Sequence, residues 1–258
     1  MKAVILLSGG LDSATTLYCA KLKGFSPYCL VFDYGQRHRV ELKRAAAIAR
    51  RAGCPYRVVA IRLPWGASAL LDKRISLPKR KTISPREIPV TYVPARNIIF
   101  LSFAASFAEA IGARAVFIGA NAIDYSGYPD CRPEFFRAFQ QALDRGLKFC
   151  LSRGAGPGAG RGAGRGAGRG AGRGAGPTRP AGRAGVRKKA IKIYAPLLRK
   201  TKAQIIRLGL KLKVPYELTW SCYKGGRRPC GACDSCLLRR RGFEEAGVAD
   251  PLVKEAEK

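Results

Sequence analysis

Ser8-Gly9-Gly10-Leu11-Asp12-Ser13 follows the apolar run Ala3-Val4-Ile5-Leu6-Leu7 and precedes an amphipathic segment from Ala14 to about Lys23. An apolar run, a glycine turn bearing hydroxyls and a helical pattern predict a strand, a tight loop and a helix whose N-terminus faces an anion. Paired glycines let the backbone bend sharply and come close to a ligand. The N–H groups of the first helical turn and the positive end of the helix dipole favour negative charge at that point. Ser8 and Ser13 add hydroxyl donors at the same mouth. A carboxylate repels phosphate unless a cation stands between them, so Asp12 is expected to hold Mg2+ beside the phosphates.

The stretch is not a Walker A loop, which needs a longer glycine spacing and a Lys before its Ser/Thr. It resembles the SGGxDS pyrophosphate loop of the ATP pyrophosphatases, which cleave ATP between the α and β phosphates and adenylate an oxygen. The resemblance implies an ATP-contacting segment that runs from Leu7 through Ala14, Thr15 and Thr16 to Leu17. It also implies an adenine nucleotide alpha hydrolase-like fold. An ordinary capped helix after a strand is the plain alternative.

Working outward, Tyr28 to Phe32 reads as a second buried strand ending at Asp33-Tyr34-Gly35-Gln36, and Glu41 to Ala52 as a helix stopped by Gly53 and Pro55. Tyr56 to Ile61 reads as a third strand. Strand-helix-strand-helix-strand predicts a Rossmann-like, doubly wound parallel α/β sheet with ligands at the carboxyl ends of its strands. Leu63 to Pro94 is rich in Pro and Lys/Arg and has little periodicity, so it reads as an active-site loop or lid. Arg96-Asn97 leads into a helix over Ile98–Ile111, apolar around most of its circumference. Ala115 to Gly119 is a fourth strand, and its end delivers Ala120 to Arg132, a loop of carboxylates, amides, aromatics and an Arg where such a fold places ligands. Pro133 opens a helix to about Leu147. Ile191 to Tyr194 reads as a further strand, and Thr201 caps the helix that begins at Lys202.

Between Arg153 and Arg187 the pattern Gly-Ala-Gly-Arg recurs every four residues, which excludes a collagen repeat and offers no apolar side chain to bury. It is read as a disordered insertion, with an Arg-Gly RNA contact as the alternative. The expected organisation is an ATP-binding α/β domain over 1–150, the insertion over 151–189, and the rest of the α/β domain with a cysteine-rich helical tail over 190–258.

A chain of 258 residues can bury one substantial core, or one core and a small appendage. No apolar run approaches a membrane span, and the run before Ser8 is too short for a secretory signal, so the chain is read as soluble and cytoplasmic. Nine cysteines, an odd count, argue for reduced thiols or metal rather than a disulfide framework. The formal charge is +31; ten Lys/Arg and no Asp/Glu fall between Arg153 and Lys189, and the remainder still carries +21. Such a field favours anionic ligands in general, ATP included, without requiring nucleic acid as a partner.

Cys222 precedes Cys230-Gly231-Ala232-Cys233-Asp234-Ser235-Cys236 by eight residues, so two CxxC steps share Cys233. Four soft ligands on tight turns suit a tetrahedral, structural Zn2+ at Cys222, Cys230, Cys233 and Cys236; an iron–sulfur cluster is the rival. Cys19, Cys29, Cys54 and Cys150 read as core residues, and Cys131 as packing rather than a nucleophile, since His38 is the sole histidine. His38 itself reads as a capping or solvated residue near a strand-to-helix junction, with a role near the nucleotide as the alternative.

With these residues in hand, the chain resembles the 7-cyano-7-deazaguanine synthase family of queuosine and archaeosine precursor synthesis. The resemblance runs through Ser8–Ser13, Asp33–His38, Val93–Asn97, Tyr125–Arg132, Ala195-Pro196-Leu197 and Thr219-Trp220-Ser221-Cys222-Tyr223 with the three later cysteines. It implies ATP at the SGGxDS loop, zinc on the four cysteines, ammonia as nitrogen donor and a homodimer. The implied substrate is 7-carboxy-7-deazaguanine, adenylated, converted to an amide, then adenylated again and dehydrated to a nitrile. Asp12, Ser13 and Lys202 are the expected catalytic groups, acting on the departing pyrophosphate. Arg96, Asp124, Tyr128, Asp130 and Arg132 are the candidates for gripping the deazaguanine. Two other readings remain open: a tRNA thiolase with a cysteine-held cluster, and a basic zinc-ribbon RNA-binding protein, which leaves the pyrophosphate loop unexplained.

Overall fold

The computed structural model describes residues 1–77, 88–123, 128–148 and 190–256. Asp124 and the Gly-Ala-Arg insertion therefore lie outside the described residues. Five strands, β1 (Lys2–Leu6), β2 (Ser26–Asp33), β3 (Tyr56–Ala60), β4 (Ala115–Phe117) and β5 (Lys192–Tyr194), form one sheet in the order β3-β2-β1-β4-β5. Every pairing is parallel, for example Ile5 opposite Cys29 and Ile5 opposite Phe117.

Side chains alternate across a strand, so β1 serves two cores. Ala3, Ile5 and Leu7 pack with Leu17 of α1 (Leu11–Leu22), Ile48 of α2 (Val40–Arg51) and Ile205 of a helix over Lys202–Lys211. Val4 and Leu6 face the other way, onto Leu101 and Ala104 of α3 (Arg96–Ile111) and Phe136 of α4 (Pro133–Gly146). We number the Lys202–Lys211 helix α5, and the last two α6 (Asp234–Ala246) and α7 (Pro251–Ala256). Burial on both faces is why β1 reads as a continuous apolar run rather than an alternating one.

Strand order reverses between β1 and β4, and that crevice is where an open parallel sheet accepts a ligand. Two glycines allow the loop after β1 to sit there. Gly9 has φ +88, and a Cβ on it would strike the Glu41 carbonyl oxygen and lie 2.9 Å from the Ala45 nitrogen. Gly119, just past β4, would carry a Cβ 2.9 Å from the Ser13 nitrogen. The loop is thus wedged between α2 and the end of β4, with no room for a methyl group on either side.

Local reading matched the elements better than their limits. Thr201 caps α5 with a full capping box through Gln204, as its position suggested. The segment after Leu63 is not loose where it is described: Ala69 and Leu70 are buried, and Arg37 donates to the carbonyls of Asp72 and Ile75 at 2.7 and 3.0 Å. A loop without periodicity is held in part by one half-buried guanidinium.

The C-terminal region forms a third, small core of Trp220, Cys222, Cys233, Cys236 and Leu252. Arg239 of α6 ties the segments around it together. Its guanidinium donates to both Asp250 oxygens at 2.6 and 2.8 Å, to the Thr219 hydroxyl at 2.7 Å and to the Tyr216 carbonyl at 3.1 Å. Breaking a buried pair leaves the other charge uncompensated. Asp250→Ala is therefore expected to lower the unfolding free energy by about 3 kcal/mol, seen as a lower urea midpoint at unchanged slope.

Candidate active site

One cavity occupies the β1/β4 crevice, with about 1310 Å3 of empty space counted out to its open mouth. Its floor is the loop after β1. Ser8 and Ser13 hydroxyls lie 3.0 Å apart, the Ser8 N–H donates to Ser13 Oγ at 3.1 Å, and the Gly10 N–H reaches Ser8 Oγ at 3.3 Å. The first intrahelical bond of α1 runs from Ala14 to Gly10. The N–H groups of Leu11, Asp12 and Ser13 therefore have no partner within the helix and are left for an anion.

Lys202, at the start of α5, donates to both Asp12 oxygens at 2.8 and 2.9 Å. Gly242 of α6 makes the approach possible, because a Cβ there would lie 2.9 Å from Lys202 Cβ. Asp12 and Lys202, far apart in sequence, thus meet at the phosphate end of the cavity as an ion pair.

Leu7, Ser8, Gly10, Leu11, Asp12, Ser13 and Lys202 wall the cavity. Gly9 instead packs on α2. Ala14, Thr15, Thr16 and Leu17 turn into the core, where the Thr15 hydroxyl meets the Leu11 carbonyl and the Tyr216 hydroxyl, each at 2.9 Å. Any part these last residues take in nucleotide binding is through the placement of the helix.

The opposite wall comes from α3, the end of β2 and the loop before α4. Arg96 Nη1 donates to the Tyr34 hydroxyl at 3.3 Å, and among the described residues no carboxylate is in ion-pair range of its guanidinium. Tyr128 also lines the cavity, its hydroxyl 2.9 Å from that of Thr91. Asp130 points elsewhere: buried, it accepts from the Asn97 N–H at 3.0 Å and so caps α3. Burial raises its pKa, opposed by that N–H and by Arg96. Arg132 is exposed and does not line the cavity. Cys131 lines the cavity, but burial, together with the charge of Asp130, pushes its thiol up to about 12, which does not suit a nucleophile.

Sequence reading gave several residues of this wall no assigned place in the site. Tyr34, Gln36 and His38 follow β2, and Trp220 and Tyr223 flank the first metal-site cysteine; all line the cavity. Gln36 braces the turn, accepting from the Tyr34 N–H at 2.9 Å and donating to the Phe32 carbonyl at 3.1 Å. His38, read as solvated or capping, is only 2% exposed and pairs through Nε2 with Glu41 Oε2 at 3.2 Å. Burial of the ring disfavours its charge, but Glu41 more than offsets this and its pKa is raised. The signal was present in the run Asp33–His38, where glycine and amide stand directly after a buried strand.

The thiols of Cys222, Cys230, Cys233 and Cys236 all lie within 4.8 Å of one another, with Cys230 and Cys236 sulfurs 4.0 Å apart. A tetrahedral site with bonds of about 2.3 Å has sulfur–sulfur edges of about 3.8 Å, so the donor set fits a metal ion closely. Hydrogen bonds from the Cys233 and Cys236 thiols, and the Cys230 N–H at 3.3 Å, hold Cys222 well below the usual thiol range. This cluster touches the cavity through Trp220, whose N–H donates to the Gly9 carbonyl at 2.9 Å and whose indole N–H donates to the Cys222 carbonyl at 2.8 Å.

A family described as queuosine biosynthesis protein QueC matches residues 2–153 and 178–247. The chain belongs to that family. The break in the match falls within the Gly-Ala-Arg repeat. The 7-cyano-7-deazaguanine synthase of Thermoplasma acidophilum is 49% identical over 256 residues, 98% of this chain and 92% of that one. The synthase of Nostoc punctiforme is 48% identical over 257 residues, 98% and 99% of the two chains. Among solved structures, the NMN synthetase of Francisella tularensis is similar at a TM-score of 0.43 and 17% identity, covering 98% of this chain and 76% of that one. Family membership removes the thiolase and RNA-binding readings from contention.

Because Trp220 joins the thiol cluster to Gly9, loss of the metal should be felt at the phosphate loop. Cys236→Ser, or exhaustive chelation, is expected to weaken ATP binding by about tenfold, the worth of one well-placed hydrogen bond, measured by titration calorimetry.

Proposed function

We infer that this chain is the ATP-dependent ligase that converts 7-carboxy-7-deazaguanine and ammonia to 7-cyano-7-deazaguanine, supplying the precursor of queuosine or archaeosine. The observation that carries the reading is a single cavity with two separate anion-seeking walls, in a member of this family. On one side stand the Ser8–Ser13 loop and Lys202, suited to the β and γ phosphates of ATP. On the other stands Arg96, a cation that no carboxylate among the described residues balances. A half-buried guanidinium beside an open cavity is a ready partner for a planar carboxylate.

In this reading Arg96 and the aromatic pair Tyr34 and Tyr128 hold the deazaguanine acid, with a carboxylate oxygen directed at the α phosphate. The first-turn amides of α1 and the two serine hydroxyls hold the leaving pyrophosphate, so that displacement occurs in line with no reorganisation of the protein. Asp12 and Lys202 are paired at the phosphate end of the cavity. Lys202 stands within reach of the phosphates, and Asp12 would hold Mg2+, which would supply charge neutralisation on the leaving group. Ammonia then displaces AMP to give the amide, and a second adenylation activates the amide oxygen for loss as AMP, leaving the nitrile. No protein nucleophile is called for, in keeping with the high pKa of Cys131. Asp130 acts by fixing α3, and with it Arg96; Asp124 and Arg132 are left as contacts made by the loop before α4 on substrate entry.

We assign zinc to the four thiols. Four protein ligands leave no open position, so its role is to hold Trp220 rather than to activate water. We also propose a homodimer through α3, where Ile98 and Phe103 are 41% and 44% exposed on a helix whose other face, with Leu101, Ala104 and Ala108, is buried. The cytoplasm, with its ATP, reduced thiols and ammonia, is the compartment this chemistry requires.

The deciding experiment supplies 7-carboxy-7-deazaguanine, ATP, Mg2+ and ammonium and looks for the nitrile by mass; absence of AMP and pyrophosphate would sink the reading. Arg96→Met is expected to raise KM for the deazaguanine acid by roughly tenfold or more, since charge-assisted hydrogen bonds are worth about 1.5–3 kcal/mol, while KM for ATP moves little. Phe103→Glu should convert the dimer to a monomer in sedimentation velocity, and a persisting dimer would place the interface elsewhere.

A further inference from the structure

In the ligase reading Asp12 and Lys202 are both assigned to ligands, the one to Mg2+ and the other to phosphate. Their contact at 2.8 and 2.9 Å therefore cannot also be what fixes α1 and α5 at their working distance. A contact out of the ligand's reach has to do that, and the two helices are joined again one turn deeper.

Thr15 stands three residues after Asp12 on α1, and Ile205 three residues after Lys202 on α5, so each lies one turn beyond the charged residue of its helix. Tyr216, in the short turn Tyr216–Leu218 after α5, comes between them. Its hydroxyl is 2.9 Å from that of Thr15 and donates to the Ile205 carbonyl at 3.1 Å. The Leu11 carbonyl, 2.9 Å from Thr15 Oγ1, already takes the Thr15 N–H in the helix ladder, which leaves the Thr15 hydroxyl hydrogen for Tyr216. Two hydroxyls thus form a relay from α1 to α5 with both donors pointing the same way, an arrangement in which each bond strengthens the other.

Three observations set this phenol apart from a core aromatic that merely carries a hydroxyl. Inside α5 stands Gly209, where a Cβ would strike the hydroxyl oxygen and Cζ of Tyr216. Glycine is a poor helix former, so the helix is weakened at that point to admit the phenol. The residue is also fixed at its backbone: its carbonyl accepts from Arg239 at 3.1 Å and from the Thr219 hydroxyl at 2.6 Å, and the Phe243 ring meets its own edge-on with centroids 5.8 Å apart. Finally, Tyr216 is 1% exposed and does not line the cavity, so no ligand competes for its bonds. Burial raises its pKa, which keeps the donor hydrogen in place.

We propose that Tyr216 is a positioning residue for the reaction: its hydroxyl, received in the Gly209 notch, sets the separation of α1 and α5 and with it the placement of Lys202 relative to the phosphate loop. The inference rests on the ligase reading and adds to it the contact that keeps Lys202 in register with the first-turn amides.

Tyr216→Phe removes one oxygen and keeps the ring. At saturating ATP and ammonium, kcat for AMP formation from the deazaguanine acid is expected to fall about tenfold, the worth of one buried hydrogen bond felt at the leaving group. KM for the acid should stay within about twofold of the parent, the spread of an indirect effect. Thr15→Val, which cuts the relay at α1, should match Tyr216→Phe, and Thr15→Ser, which keeps the hydroxyl, should recover most of the rate that Thr15→Val loses. Because both changes break one relay, the double variant Thr15→Val/Tyr216→Phe should be no slower than the slower single variant. A Tyr216→Phe protein that melts lower but turns over at the parent kcat overturns the proposal. So does a fall in kcat matched by an equal rise in KM for the acid, which marks general loosening, or a double variant whose losses add. Should Tyr216→Phe fail to fold, Thr15→Val against Thr15→Ser makes the same comparison from α1. If the parent itself forms no AMP from the acid, the ligase reading fails and takes this inference with it; an active parent with indifferent variants removes Tyr216 alone.

Discussion

The hydrogen bond from the Trp220 N–H to the Gly9 carbonyl joins the first loop of the chain to its cysteine-rich region, and the active cavity exists only where that junction holds. On its far side Gly9 presses against the backbone of Glu41, and beyond it Ser13 presses against Gly119. Backbone meets backbone at each of these contacts, with no side chain between to yield. The phosphate loop is therefore positioned by three separate elements, α2, the end of β4 and the metal-binding loop, rather than by its own hydrogen bonds alone.

The same economy shapes the electrostatics. A strongly basic chain might be expected to present a featureless positive cavity, yet each charge in it has a distinct station. Arg239 is consumed by Asp250, the carbonyl of Tyr216 and the hydroxyl of Thr219, so it acts as a structural rivet although it reaches the cavity wall. Lys202 is paired with Asp12, both oxygens of which accept from its ammonium. Arg96 donates to the Tyr34 hydroxyl and, among the described residues, makes no ion pair with a carboxylate. The three cations of the cavity wall thus differ in how far their charge is already matched by neighbouring groups.

Much of this was legible in the residues themselves. The strand-loop-helix around Ser8–Ser13, the parallel order and the four-thiol cluster all depend on local spacing, which a linear chain displays directly. Cavity walls are another matter. Asp130 looks like a ligand-binding carboxylate and proves to be the cap of a helix that precedes it in the chain, because an acceptor's partner is set by tertiary contact. His38 looks like a surface residue at a helix start and proves to be buried, because Tyr223 and Gly225, from the far end of the sequence, close over it. Thr15 and Thr16, beside the motif, turn inward since a helix offers only one face to a ligand.

The wedge between Gly9 and Trp220 has a further bearing on biosynthesis. A ribosome that has made the first half of this protein has produced the loop, but not the residue that pins it, nor the thiols that position that residue. The loop therefore takes on this packing only once Trp220 has been translated and its N–H has closed onto the Gly9 carbonyl.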